Sequence, residues 1–193
     1  MRSALHRIGI LAALGVAGRA FSLSAQAPTL TVSGVGYAQY VYQLKDSANH
    51  VNNFDVTRAY INVRGTFAYG IRTRVTADIY RTGDGLSYRL KYGFVTWTPE
   101  KSALTFKLGM LNTPIVEMQE TLWDYRMQGT VALDRAGYLS SSDIGFLVDG
   151  NWGFDKVTLS AGGLNGENYN RALGDQRKDL AGRISVRVLG TDE

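Results

Sequence analysis

The side chains of this sequence that could do chemistry are arginines and lysines that recur at alternate positions of short segments. They are Arg58, Arg64, Arg72, Arg74, Arg89, Lys91, Lys107, Lys156, Arg183 and Arg187. Successive side chains of an extended strand point to opposite faces, so cations at alternate positions share one face. The same faces carry four acids, Asp78, Asp143, Asp149 and Asp179, so ten cations less four acids leave a net charge of +6. Such a face attracts anions, which predicts electrostatic rather than covalent chemistry.

Residues suited to covalent catalysis or metal binding are scarce. The sequence has no Cys, which excludes disulfides, Cys-ligated metals and thiol chemistry. Beyond the N-terminal segment the one histidine is His50, which is too little for a Ser-His-Asp triad or a transition-metal site. Gly83-Asp84-Gly85 is typical of a turn, and no helical pattern comes after Gly162 to Gly166 as a phosphate-binding loop would require. We therefore expect no enzymatic activity, no metal and no cofactor.

The first 27 residues are typical of a secretory signal peptide. Arg2 and Arg7 precede an apolar run at 8–17, and Ala25-Gln26-Ala27 is an A-x-A cleavage pattern. The run is shorter than the roughly 20 residues of a membrane-spanning helix; a buried N-terminal helix is the alternative. Removing the segment takes three arginines from the 21 basic residues and leaves 17 acids, so the mature chain is nearly neutral. A nucleic-acid partner is therefore not expected.

The remaining residues, 28–193, must position the cations, and their alternating pattern predicts β-strands. The eight alternating runs are 30–43, 54–68, 71–81, 88–98, 104–110, 142–152, 156–164 and 179–189. Each run has a polar face and a charge-free face, although in 88–98 Val95 and Trp97 share a face with Arg89. The connections alternate long and short, as in transmembrane β-barrels with short periplasmic turns and longer external loops. The sequence thus predicts an all-β fold, an antiparallel transmembrane β-barrel in the outer membrane of a Gram-negative-type bacterium.

The charge-free faces suit contact with membrane lipid. Small residues on them include Gly34, Ala38, Ala59, Gly65, Ala77, Ala161 and Gly182. Aromatic residues lie toward the ends of the runs, where an interfacial girdle would place Tyr40, Tyr42, Phe67, Phe94, Phe106 and Trp152. A soluble periplasmic β-sandwich would also alternate, because one face of each sheet packs the core.

The longest connection, between the fifth and sixth runs, contains a short amphipathic segment. Residues 117–126 could form two or three helical turns with Met118, Leu122 and Tyr125 on one face. In a barrel this helix would either fold into the pore or pack as a lid on the rim. The side chains that could line a constriction are Glu117, Glu120, Asp124 and Arg126.

Several segments resemble the phosphate-selective porin O/P family. Arg58 to Phe67 (RAYINVRGTF), followed by a tight turn and an Arg-rich strand, looks like an early hairpin of that family. Leu104 to Pro114 (LTFKLGMLNTP) resembles its strand that ends in G-x-x-x-T-P and enters the long third external loop. Leu164-Asn165-Gly166 and Asp179 to Arg183 are similar to its next hairpin. The resemblance implies a trimeric barrel of about sixteen strands whose basic lumen conducts anions, and these 193 residues would be its N-terminal part.

These observations predict an outer-membrane porin for passive diffusion of small hydrophilic solutes, with a preference for phosphate-like anions. The alternatives are a small eight-stranded, non-conducting outer-membrane barrel and a periplasmic β-sandwich that binds a ligand. Arg64 and Arg74 should lie at the same level across the hairpin that turns at Tyr69-Gly70, as part of a basic patch with Arg58 and Arg72. Alternatively, the arginines pair locally with Asp78, Asp143 and Asp149.

Overall fold

The computed structural model of the chain describes residues 27–45, 48–171, 174 and 176–190. The predicted signal peptide lies outside these residues, apart from Ala27. The eight strands are β1 (Thr29–Tyr42), β2 (Asn52–Thr66), β3 (Ile71–Thr82), β4 (Gly85–Trp97), β5 (Leu104–Asn112), β6 (Ser142–Trp152), β7 (Val157–Leu164) and β8 (Asp179–Val186). The helices are α1 (Pro114–Leu122) and α2 (Ala132–Arg135), with 3-10 turns at Ala68–Gly70 and Arg126–Gln128. None of the described helices is long and apolar enough to cross a membrane.

All eight strands belong to one antiparallel sheet in which each strand pairs with its neighbours in the sequence. The order is β1 to β8 without a crossover, and β1 and β8 form the two edges. The predicted all-β class is therefore confirmed, and the strands lie where the alternation of the sequence placed them, within a few residues at each end. The strand that falls furthest short of its predicted end is β8, which ends at Val186 instead of residue 189.

The two faces of the sheet differ sharply in chemistry and in exposure. One face, here called the apolar face, carries large hydrophobic side chains in contact with the surroundings; Val32 is 70% exposed, Leu108 60% and Ile184 71%. The opposite face, the polar face, contains the buried residues Thr76, Asp78 and Lys91. A water-soluble protein buries its apolar side chains and exposes its charges. This sheet has the reverse arrangement.

The connection between β5 and β6 folds back over the polar face. Its helix α1 begins with Pro114 at the first turn, where a missing N–H costs nothing, and its Val116 is fully buried. Nearby, Leu111, Leu147 and Leu164 form a small apolar cluster with Phe94 and Ala181 packed against it. The aliphatic cluster of the described chain thus lies in one part of the polar face.

Three glycines permit close approach of strands within that part of the sheet. Gly109, Gly145 and Gly162 face the polar side, and a Cβ on them would lie 2.3, 2.2 and 2.0 Å from a backbone oxygen of the neighbouring strand. Each is paired with a large apolar residue, Gly109 with Phe94, Gly145 with Leu164 and Gly162 with Leu147. Glycine is the residue that admits such a close backbone approach.

A β-bulge in β4 corrects the sequence-based assignment of faces in that strand. The register shifts at Lys91: Leu90 pairs with Ala77, whereas Tyr92 pairs with Thr76. Because a bulge inserts one residue, it reverses the facing of all residues beyond it. Trp97 therefore pairs with Phe106 on the apolar face, and Val95 lies on that face too. Phe94 lies on the polar face, so its assignment to the interfacial girdle was wrong.

Aromatic residues of the apolar face contact one another at two places. Trp97, Phe106 and Phe146 form a stacked row at centroid distances of 5.6 and 6.4 Å. Toward the opposite end of the sheet, Tyr40 lies against Phe54 at 4.9 Å.

Candidate functional site

The hairpin of β2 and β3 brings three arginines together on the polar face. Tyr69 and Gly70 adopt φ angles of 60° and 74°, and a side chain at Gly70 would strike the Thr98 oxygen at 2.0 Å. Positive φ at both central residues is the geometry of a tight hairpin whose twist matches its strands. The resulting register pairs Arg64 directly with Arg74 and places Arg72 opposite Thr66. The predicted level of Arg64 and Arg74 is therefore confirmed.

The predicted basic patch also included Arg58, but Arg58 pairs with Asp78, so the patch in the structure consists of Arg64, Arg72 and Arg74. These three arginines keep their charge available. Arg64 and Arg72 are exposed, and in the described chain none of the three makes an ion pair with a carboxylate. Arg74 donates to the Asn62 Oδ1 and Thr76 Oγ1 atoms, each at 3.1 Å, and covers the ring of Tyr92 at 4.5 Å. Guanidinium groups remain protonated and offer planar donors to oxyanions. The patch can therefore attract and orient anions.

The other arginines of β2 and β4 are already committed to a carboxylate. Asp78 is fully buried, with Arg58 Nε 3.1 Å from its Oδ1 and Arg89 Nη2 3.0 Å from its Oδ2. Two cations around one carboxylate leave a single net positive charge there. The alternative prediction of local pairing is thus right for Asp78, whereas the arginines of the basic patch do not follow it.

The remaining strand acids hold other partners. Asp149 lies 2.5 Å from Lys107 Nζ and accepts a hydrogen bond from Ser160 at 2.6 Å. Asp143 accepts hydrogen bonds from the backbone N–H groups of Ile144 and Gly166, at 2.7 and 2.8 Å. None of the four arginines predicted to pair with it, Arg58, Arg64, Arg72 and Arg74, does so. Local pairing with arginine was therefore wrong for Asp143 and Asp149.

The cations nearest the edge β8 are more scattered than the sequence indicated. Arg183 lies on the polar side of β8 and donates to the Ser185 Oγ atom at 3.0 Å. Lys156 and Arg187 are exposed and lie just outside β7 and β8. They belong to the end of the sheet rather than to the wall that carries the basic patch.

The long connection meets the polar face through two of its four candidate residues. Glu120 of α1 lies 3.5 Å from Lys91 Nζ and 3.9 Å from Arg126 Nε. Arg126 in turn donates to the Tyr60 hydroxyl at 3.0 Å. Glu117 joins these residues around a cavity of about 390 Å³, whereas Asp124 is exposed. The helix thus lies over the polar face of the sheet.

The helix differs in detail from its prediction. It spans Pro114–Leu122 rather than 117–126, and its buried side chain is Val116. Leu122 and Tyr125 are 74% and 58% exposed, so the expected apolar face of Met118, Leu122 and Tyr125 does not pack against the sheet. The helix begins earlier than predicted because proline is favoured in the first turn of a helix, and Pro114 provides that start.

Tyrosines contribute to this site, and sequence reasoning missed them. Arg89 lies over the rings of Tyr80 and Tyr169, 4.0 and 4.4 Å from their centroids. Lys91 lies close to Tyr60 and Tyr92, at 4.9 and 5.1 Å. The sequence did contain a signal for these contacts, because tyrosines occur at alternate positions beside the cations of the polar face. Aromatic faces attract cations.

Two groups in the connections outside the strands have shifted pKa values. Burial raises the pKa of the Asp134 carboxyl above its ordinary value, although Lys91 opposes this effect. Burial also raises the pKa of the Tyr169 hydroxyl, with Arg89 acting in the opposite direction. Both groups therefore hold their protons more tightly than in the unfolded chain.

No family model, no curated protein and no solved structure matches this chain. Among the described residues, no group of three or more His, Asp and Glu side chains is placed to hold a metal ion. The function of the chain is therefore inferred from the arrangement of its own side chains.

Proposed function

We propose that this chain forms part of the wall of an outer-membrane porin through which small hydrophilic anions diffuse passively. The observation that carries the proposal is the reversed distribution of side chains: a continuous exposed apolar face opposite a polar face that holds the charges. Transmembrane barrels alternate in this way, with apolar residues toward lipid and polar residues toward the lumen. An apolar surface spread over eight strands would be an aggregation hazard in water.

The connection that folds over the polar face supports a passage of restricted width. Glu120 and Arg126 hold it against Lys91 and Tyr60, which are residues of the strands themselves. In the porin this connection would narrow the lumen, and the 390 Å³ cavity beside it would belong to the water-filled path. No covalent step is involved, and the solute gradient alone would drive the flux.

The preference for anions follows from the basic patch. Arg64, Arg72 and Arg74 are free of carboxylate partners among the described residues, whereas Arg58, Arg89, Lys91 and Lys107 have such partners. A channel lined by one sign of charge within low-dielectric walls concentrates the opposite ion. Phosphate-like and carboxylate solutes suit the planar donors of guanidinium groups.

The two other candidate functions fit the structure less well. A β-sandwich requires two sheets that bury their apolar faces against each other, whereas the described strands form a single sheet with that face exposed. A closed eight-stranded barrel requires β1 to pair with β8, and here both are edges. In our proposal further strands complete a wall of about sixteen, residues 1–27 are removed as a signal peptide, and the full protein is a homotrimer in contact with lipid.

Ion selectivity in a planar bilayer tests the proposal. The full-length protein with Arg64, Arg72 and Arg74 all changed to Gln should show a reversal potential shifted toward cation preference in a salt gradient. The shift should shrink at molar salt, where the Debye length is about 3 Å. The matched control changes Lys45, Lys101 and Lys178 to Gln, because this removes the same charge from exposed residues outside the strands.

Two results would count against the proposal. If the unaltered protein gives no conductance steps, or is recovered with Met1 intact in a soluble fraction, the porin function is wrong. If it conducts but the triple variant and its control have equal reversal potentials, the basic patch does not set the selectivity.

A further inference from the structure

Arg89 has an environment unlike that of any residue in the basic patch. Its Nε atom donates to Asp78 Oδ2 at 3.0 Å, and its Nη2 atom lies 3.0 Å from the same oxygen. Nη2 also donates to the Tyr169 hydroxyl at 3.0 Å, and Nη1 donates to the Asn170 side-chain oxygen. The guanidinium also lies over the rings of Tyr80 and Tyr169, 4.0 and 4.4 Å from their centroids. Its donors are used within the protein, so little remains for a solute.

The partners of Arg89 come from two distant parts of the chain. Asp78 and Tyr80 belong to β3, which is paired with β4, whereas Tyr169 and Asn170 belong to the connection between β7 and β8. Arg89 joins this connection to the middle of the polar face. The start of the connection is held separately at β6, where the N–H groups of Asn165 and Gly166 donate to the Ile144 oxygen and to Asp143 Oδ2, each at 2.8 Å. Asp78, which is fully buried, contacts both the Nε and the Nη2 atoms of Arg89 and so restricts where the guanidinium can lie.

We propose that Arg89 is a positioning residue, which holds residues 165–171 of the connection between β7 and β8 over the polar face and so sets the width of the passage on that side. This inference rests on the proposed porin function. It divides the cations of the polar face into two groups with separate tasks. Those of the basic patch attract the anion, and Arg89 shapes the space through which the anion passes.

The contacts of Arg89 depend on its planar guanidinium group. Lysine at this position would keep the charge but would lose the planar set of donors and the stacking on the two tyrosine rings. Replacement of Arg89 by Lys should therefore release the connection without removing charge from the wall. At Arg64, which is exposed and pairs with no described carboxylate, the same replacement should leave the mobility of the connection unchanged.

The absence of cysteine allows a direct measurement of the connection. A nitroxide label on Arg171→Cys, an exposed residue next to Asn170, reports local mobility in the full-length protein reconstituted in lipid vesicles. We expect Arg89→Lys to convert the slow spectral component into a fast one, while Arg64→Lys leaves the spectrum unchanged. Tyr169→Ala, which alters the partner and leaves the strand intact, should act like Arg89→Lys and covers the case in which Arg89 variants fail to fold.

Conductance gives the second measurement. Arg89→Lys should change the unitary conductance or increase the open-channel noise with an unchanged reversal potential, because charge is retained. Identical label spectra in the unaltered protein, Arg89→Lys and Tyr169→Ala would overturn the positioning role, and so would a reversal potential that shifts with Arg89→Lys while mobility does not. If no form conducts, the porin proposal fails, and the label spectra still decide whether Arg89 holds the connection.

Discussion

Replacement of Gly162 by alanine tests the close strand approach on the polar face, and its neighbour provides the control. A Cβ at Gly162 would lie 2.0 Å from the Phe146 backbone oxygen and 2.9 Å from the Leu147 Cα atom. A Cβ at Gly163, one residue further on the apolar face, would meet nothing within 4 Å. The two variants add the same methyl group to the same strand, so only the direction of that group differs.

The expected cost follows from the distance that the backbone must move. Ordinary contact begins near 3.4 Å, so β6 and β7 would separate by about 1.4 Å at this point. That is close to a third of the spacing of about 4.8 Å between neighbouring strands. Overpacking costs about 1–3 kcal/mol, and each backbone hydrogen bond lost adds about 1 kcal/mol. We expect Gly162→Ala to lower the free energy of unfolding by about 2–4 kcal/mol.

Gly163→Ala should leave stability unchanged or raise it by about 0.5–1 kcal/mol, since alanine has less backbone freedom to lose. The measurement is urea unfolding of the full-length protein in detergent micelles, followed by tryptophan fluorescence and repeated from the refolding direction. Equal midpoints for the two variants would show that Gly162 is not needed for the close approach of β6 and β7. The same argument for Gly109 and Gly145 would then also be wrong.

Three further predictions use the same unfolding measurement, or membrane insertion. The pKa of Asp134 is raised in the folded state, so the free energy of unfolding should fall as pH rises above the ordinary value of 3.8. Asp134→Asn should remove this pH dependence. If the pH profiles of the variant and the unaltered protein are parallel, the prediction is wrong. Leu111→Ala, at a fully buried position, should cost about 2–5 kcal/mol, whereas Leu108→Ala on the exposed apolar face should cost far less in micelles. In lipid vesicles, Val32→Arg on the apolar face should lower the free energy of unfolding by up to about 2–4 kcal/mol, and Ser33→Arg on the polar face should lower it by much less. Equal effects would show that the apolar face does not contact lipid.

The strands could be predicted from the sequence because their pattern is local. Each run alternates every two residues, and a two-residue turn such as Tyr69-Gly70 fixes the register of its hairpin. That is why the pairing of Arg64 with Arg74 could be anticipated. The bulge at Lys91 shows in the sequence only as a break in the alternation, because Val95 and Trp97 have the same parity as Arg89. Such a break does not show at which residue the register shifts.

The contacts that the connections make with the strands could not be predicted from the sequence, for a different reason. Arg126 meets Tyr60 across 66 positions of the chain, and Arg89 meets Tyr169 across 80. Such pairs depend on the path of an irregular backbone, which no periodicity encodes. A pattern of charges can show that a face is basic, but it cannot show which arginine is committed to Asp78 and which remains available.

The simple order of the sheet has a consequence for how such a chain can fold and diversify. Each strand pairs only with the strands before and after it, so every pairing closes a loop no longer than one connection. Short closures cost little entropy, and hairpins can therefore be added to a growing sheet one at a time. For the same reason a hairpin could be duplicated or deleted in the gene without separating any other pair of neighbours. The width of the sheet is thus a quantity that evolution, or a protein engineer, can change in steps of two strands.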